Sequence, residues 1–212
     1  MEHTLAELPL RALEARVASV DPTPGGGSIS ALAGSLGAAL GAMVWRLTQA
    51  KAAGDLPEER LDELVAALED LGASLRDKVD EDSASYDGVL AAMRLPKGSE
   101  EEKSARAAAV TAATRVATEV PLQTARLCAE VMDCCLTAVR LGHGGAVTDA
   151  GVGLLMAFAG VKGALYNVEI NLNGLADEGY AAATRSEAVS LRVRAEDALR
   201  AGDAVVRERI VG

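Results

Sequence analysis

Apolar residues recur at helical spacing along nearly the whole chain and nowhere keep up a two-residue alternation, which predicts helices throughout. Six segments result. The first covers residues 5–20 and is closed by Asp21, Pro22 and Pro24; the second opens at Ser28, placed as an N-cap after three glycines, and continues to Lys51. The third starts at Pro57, suited to a first helical turn, and extends to Met93 ahead of Leu95 and Pro96. Ser99 followed by Glu102 is a capping box that starts the fourth, which meets Pro121, is expected to kink or divide near Glu119, and resumes to Leu141. After Gly142, His143, Gly144 and Gly145 a fifth helix spans residues 148–172, and a sixth spans 177–209. No composition shift marks a boundary, so residues 1–212 read as one all-α domain, an up-and-down bundle of about six long helices.

The second and fifth segments are apolar around most of their circumference, whereas the third, fourth and sixth carry charge on one face. The two apolar helices are therefore expected at the centre or at a subunit interface, and a homodimer follows from the surface they leave to cover. Alanine makes up 42 of the 212 residues, with 21 glycines and only five aromatics, a mixture that lets helices approach closely. Residues 29–45 carry no charge, but the stretch is short and weakly apolar for a span and reads as a buried helix, not a membrane one.

A net charge of −10, with no basic run and few rings to stack on bases, argues against nucleic acid and against a basic membrane-surface role. Cys128, Cys134 and Cys135 lack metal-ligand spacing, and with two histidines in the chain they read as reduced thiols. Met1, Glu2, His3 and Thr4 do not open a secretory leader, so the expected compartment is the cytoplasm.

Candidate chemistry is scattered. Gly25, Gly26, Gly27 and Ser28 precede an apolar helix, where free N–H groups can hold an anion or a carbonyl oxygen, or where small residues merely let two helices pack. Asp82 and Tyr86, four apart, share a helix face and can aim a carboxylate and a hydroxyl at one ligand, although the Asp80-Glu-Asp82 run in isolation reads first as a solvated helix surface. Lys97 sits on a loop able to meet an anionic substrate, with an ordinary surface lysine as its default reading. Asp149 lies in the first turn of the fifth helix, where either capping or chemistry explains it. Asn167 and Asn171 mark one stripe of an apolar helix, so they either bond a neighbouring backbone or line a polar pocket. His143, between glycines, is a candidate acid–base with the surface as its other reading.

Taken in order, these pieces resemble the formiminotransferase-cyclodeaminase family: the Pro-Gly-Gly-Gly-Ser turn ending at Ser28, Asp82 to Tyr86, the Leu-Pro-Lys ending at Lys97, Val120 to Leu122, Thr148-Asp149, and Asn167 to Leu172. The resemblance is to its cyclodeaminase domain standing alone. It implies a dimeric all-helical enzyme acting on tetrahydrofolate one-carbon adducts, either a formiminotetrahydrofolate cyclodeaminase or a methenyltetrahydrofolate cyclohydrolase, with a folate derivative as substrate and no metal or redox cofactor. It further implies that Asp82 and Asp149 transfer protons or stabilise the cation. The glycine turn and Ser28 wall the pocket, Lys97 suits the glutamate tail, and Asn167 and Asn171 orient the pterin. The family usually carries Gly-Asn-x-Asn and then Ser-Asp before the fifth helix; here Gly142, His143, Gly144, Gly145 and Thr148 stand instead, so that either His143 takes over proton transfer or the pocket holds a different ligand. The competing reading is a non-catalytic helical dimer that binds a small molecule or a protein partner. The enzyme reading requires these groups to converge on one cavity, within a subunit or between two.

Overall fold

The computed structural model describes residues 4–52, 54, 56–175 and 177–211; the first three residues, on which the leader reading leans, lie outside that set. Six α-helices and two single 3₁₀ turns succeed one another, with no strand among the described residues. The helices are α1 (Leu10–Val17), α2 (Gly26–Ala50), α3 (Glu58–Met93), α4 (Glu100–Leu141), α5 (Val147–Leu172) and α6 (Glu178–Val211). The bundle runs up and down, and as expected α2 and α5 are its central rods: α2 packs on α3, α4 and α5, and α5 packs on α2, α4 and α6.

Small residues make that centre possible. A Cβ added at Gly37 would meet the Gly153 carbonyl oxygen at 2.7 Å, and one at Gly160 would meet the Ser30 carbonyl at 2.8 Å, so backbone lies on backbone with nothing between. The same contacts fix the register as antiparallel, with Gly26 beside Asn167 and Gly37 beside Ala157. Both helices are long and apolar enough to cross a membrane, but 61% of the most apolar window of α2 is buried within the bundle, against 44% for α5. The outer side of α5 is thus left apolar and uncovered.

Three local expectations need correction. Residues 5–20 do not form one helix, because Leu8, ahead of Pro9, is held extended; a 3₁₀ turn, Leu5–Glu7, precedes a short α1. The Asp80 carboxylate holds that turn by accepting the Leu5 N–H at 2.6 Å. Ser28 does not cap α2, which starts two residues earlier at Gly26 with Gly25 as its cap residue. The Ser28 hydroxyl is turned to another partner. The box at Ser99 forms as read, with the Ser99 hydroxyl accepting the Glu102 N–H at 3.1 Å.

The third correction concerns the division expected at Pro121, around which α4 stays unbroken from Glu100 to Leu141. Proline has no N–H, so the carbonyl of Ala117, four residues back and buried, loses its helical partner. The Asn171 side chain of α5 donates to that oxygen at 2.7 Å and replaces the missing bond. Asn171→Leu therefore leaves a buried carbonyl unpaired and is expected to cost about 1–3 kcal/mol. In the Pro121→Ala background, where the backbone can bond itself, the same change is expected to cost about 1 kcal/mol less. A double-mutant cycle in urea checks that coupling.

Ion pairs tie α6 to the centre: Arg126 of α4 grips Glu187 at 2.6 and 2.8 Å, Lys162 of α5 meets Glu196 at 3.0 Å, and Arg192 pairs with Glu169. Arg209 donates to the carbonyls of Val139 and Gly142 at 2.6 and 2.9 Å, closing the exposed C-terminus of α4. Beyond Asp82, α3 and α4 continue as a hairpin past the start of α2. Between residues 83 and 116 only Ala92 is buried.

Candidate active site

The N-terminus of α2 is wedged between α3 and α5, and Gly27 lets it come that close to α3. A Cβ at Gly27 would overlap all three atoms of the Asp82 carboxyl group, and one at Gly26 would touch the Asn167 amide nitrogen at 3.7 Å. The carboxylate of Asp82 accepts the Ser28 hydroxyl at 3.0 Å, and that hydroxyl lies 3.1 Å from the Ser83 hydroxyl. Asn167 donates to the Gly163 carbonyl at 2.8 Å, which fixes its amide. Gly25, Gly26, Gly27, Ser28, Asp82 and Asn167 are therefore neighbours, drawn from three helices.

Burial pushes the Asp82 carboxyl above its ordinary value, and hydrogen bonds from the hydroxyl and backbone N–H of Ser28 pull it partly back. Such a group gives up its proton less readily than a surface carboxylate, yet it remains held by donors at a helix N-terminus that favour the anion. That combination suits a base that must take a proton and return it. Tyr86 stands one turn further along α3, exposed, and makes no hydrogen bond among the described residues. Lys97 lies on the exposed loop after α3, about 22 Å of helix rise from Asp82 and likewise without an ionic partner among the described residues.

Asp149 and His143 are elsewhere. Asp149 sits in the first turn of α5, as expected, but 18 residues before Asn167, a separation of about 27 Å along the helix axis. It is half-buried and has no hydrogen-bond or ionic partner among the described residues. His143 lies in the loop before α5, its backbone N–H donating to the Thr48 hydroxyl at 2.8 Å and its ring packed on Gly145. The cleft beside this end, about 230 Å³, is lined by Thr148, Gly151, Val152, Leu155, Leu199 and Val206, and no group from the Asp82 end enters it. One subunit alone thus does not assemble the whole expected set. Asn171, too, faces away from the cluster: its amide is engaged on Ala117.

Ser83 and Gly163 belong to the cluster and were not anticipated. Ser83 had a signal, its adjacency to Asp82; Gly163 had one in lying four residues before Asn167, where its carbonyl can hold that amide. The three thiols play no part: burial pushes Cys128 and Cys135 up to about 12, so both stay protonated. No cluster of three potential metal ligands occurs among the described residues.

Comparison with known proteins gives a consistent result. Residues 9–190 match the formiminotransferase-cyclodeaminase family. A methenyltetrahydrofolate cyclohydrolase of Methylorubrum extorquens is 40% identical over 165 residues, covering 78% of this chain and 79% of that one. A formimidoyltransferase-cyclodeaminase of Sus scrofa is 32% identical over 190 residues, or 90% of this chain but 35% of its own length, so the chain spans about a third of that relative. A crystal structure of formiminotetrahydrofolate cyclodeaminase from Thermotoga maritima superimposes with a TM-score of 0.86 over 96% of this chain and 98% of that one, at 22% identity. It confirms the all-helical bundle.

Proposed function

The chain belongs to the formiminotransferase-cyclodeaminase family, and from that premise we propose that it is a folate one-carbon enzyme working as a methenyltetrahydrofolate cyclohydrolase. The observation that carries the chemistry is the partly buried Asp82 carboxylate, hydrogen-bonded to Ser28 and packed on Gly27 at the start of α2, where the adjacent Gly26 lies beside Asn167. The cyclohydrolase relative, similar over most of both chains, favours this reaction over the ring-closing deamination. The bifunctional relatives favour the deamination, which remains the second reading.

The substrate is a cation, with positive charge shared between two nitrogens and the carbon that joins them. An anionic carboxylate partly withdrawn from water steadies that charge. Asp82 takes a proton from the attacking water as its oxygen bonds to the bridging carbon, giving a neutral tetrahedral adduct. Returned to one ring nitrogen, that proton lets the carbon–nitrogen bond break. The adduct's hydroxyl proton leaves to solvent, so one water is consumed and one proton released. The carbon is electrophilic already, so this route calls on no metal. Lys97 suits the carboxylates of the glutamate tail, and Tyr86 the face of the bound ring system. The protein works in the cytoplasm as a homodimer, the state that covers the apolar outer faces of α2 and α5.

The test is optical. Purified protein is expected to speed the decay of methenyltetrahydrofolate absorbance well beyond the buffer rate. Appearance of that chromophore from the formimino adduct would instead establish the deaminase reading. Neither change, together with no folate binding by calorimetry, would leave only the non-catalytic dimer.

A further inference from the structure

We propose that the hollow between α2 and α3 is a binding site for a small monocarboxylate, with Arg76 gripping the carboxylate and Ser35 donating its hydroxyl to it. The site stands apart from the reaction centre, so its failure would leave the functional reading above untouched.

The hollow measures about 240 Å³, and Ser35, Ala38, Ala42, Leu68, Gly72 and Arg76 are among the residues that line it. Small side chains make it. A Cβ added at Gly72 would lie 3.5 Å from the Ala38 Cβ and 3.6 Å from a guanidinium nitrogen of Arg76. Arg76 therefore folds back along its own helix and lays its guanidinium beside the groove.

Two groups in the hollow lack partners. Of the seven buried hydroxyl side chains among the described residues, six are engaged: Ser28 on Asp82, Ser30, Thr48, Thr118 and Thr124 on the carbonyl one turn back, and Thr184 with Tyr180. Ser35 is the exception. It is 6% exposed and borders the hollow, yet its hydroxyl makes no hydrogen bond among the described residues. A buried hydroxyl left unpaired costs free energy that a bound acceptor removes. The second group is Arg76: unlike Arg46, which pairs with Glu69 at the mouth, it has no ionic or hydrogen-bond partner among the described residues. Its guanidinium stays charged and presents two parallel N–H groups, the geometry that a planar carboxylate accepts.

Charge sets the ligand class. Because Arg46 and Glu69 neutralise each other, Arg76 leaves the hollow with one net positive charge, which a monoanion matches. Glu69 at the rim repels a phosphate dianion. Ala38, Ala42 and Leu68 offer an apolar wall to the body of the acid. A short aliphatic acid meets all three conditions.

The glutamate tail of a folate at Asp82 has no open path to it along the groove. Ala31 lies between Ser28 and Ser35 on α2, Val79 lies between Arg76 and Asp82 on α3, and Leu5 and Leu13 form one apolar cluster with both, bridging the groove between the two places. The occupant is thus a separate molecule. Charges at the rim also set this side of α2 apart from the apolar face that the proposed dimer covers.

Calorimetric titration with sodium isobutyrate, against sodium chloride at the same ionic strength, tests the site. The parent is expected to bind with a Kd on the order of 1 mM, as suits so small a ligand. Arg76→Gln and Ser35→Ala are each expected to weaken binding at least tenfold, whereas Arg185→Gln, which removes the same charge on α6, is expected to bind as the parent does. Melting curves of the unliganded variants are expected to match the parent's, so that lost binding is not lost fold; should one variant melt early, the other decides. Binding that survives Arg76→Gln, phosphate binding tighter than isobutyrate, or no saturation of the parent well above that concentration overturns the proposal. Displacement of isobutyrate by p-aminobenzoylglutamate would make the carboxylate that of a folate tail and overturn the assignment to a separate acid.

Discussion

Asp82→Asn is expected to lower turnover by about 10²–10⁴-fold while leaving the bundle folded and, at neutral pH, more resistant to heat than the parent. The two halves of that result have one cause. Burial raises the Asp82 carboxyl above its ordinary value, so the folded protein holds this proton more tightly than the unfolded chain does. Stability from that group is therefore present below its unfolded value and lost as pH rises through its folded value. At pH 7 the native state carries a partly buried anion at a cost, and an amide removes the cost while still accepting the Ser28 hydroxyl as the carboxylate does at 3.0 Å. The melting temperature of Asp82→Asn relative to the parent is expected to rise from pH 4 to pH 8, read by calorimetry at several pH values. A carboxylate acting only as a cap at the α2 N-terminus gives the reverse: lower stability in the variant and near-normal turnover. The parent's pH–rate profile is expected to fall on its acid side above the range of a surface carboxylate, since the base must be ionised to accept the water proton.

The fold was largely legible because helical periodicity, capping signals and breakers agree with one another over most of the chain. Ser99 with Glu102, the break at residues 142–145 and the Leu95-Pro96 stop each mark an end that the structure shows. What local signals do not reveal is compensation from elsewhere. Pro121 reads as a breaker because the donor that rescues its helix, Asn171, is 50 residues away in sequence and arrives only by packing. The site divides along the same line. Gly25 to Ser28, Asp82 and Asn167 are found from motifs and do meet, since the antiparallel register of α2 with α3 and α5 brings their ends together. Asp149 and His143 carry motif signals of the same strength but occupy the far end of α5, because a sequence pattern records order along the chain and not which end of a rod a residue occupies.

Gly37→Ala is expected to destabilise the protein by about 2–3 kcal/mol, lowering the melting temperature by about 5–10 °C, whereas Gly88→Ala is expected to raise it. Both glycines lie inside helices, α2 and α3, so helix propensity alone predicts a gain of about 0.5–1 kcal/mol for each. Space decides between them. A Cβ at Gly88 meets nothing within 4 Å, so the gain is realised in full. At Gly37 the Cβ would lie 2.7 Å from the Gly153 carbonyl oxygen and 3.1 Å from the Ala157 nitrogen, both backbone atoms of a helix that cannot rotate aside. The strain can be relieved only by moving α2 away from α5, which opens the smaller contacts at Gly34 and Gly160 and, at the end of the same pair of rods, separates Gly26 from Asn167. Turnover in Gly37→Ala is accordingly expected to fall although the substitution lies about 14 Å of helix rise from Ser28, and to fall through KM as well as kcat, because the α2 N-terminus and the Asn167 amide are displaced relative to each other. Thermal melts of the two variants beside a steady-state assay check this, and a Gly37→Ala protein as stable and as active as the parent would mean that the central rods are not packed backbone to backbone.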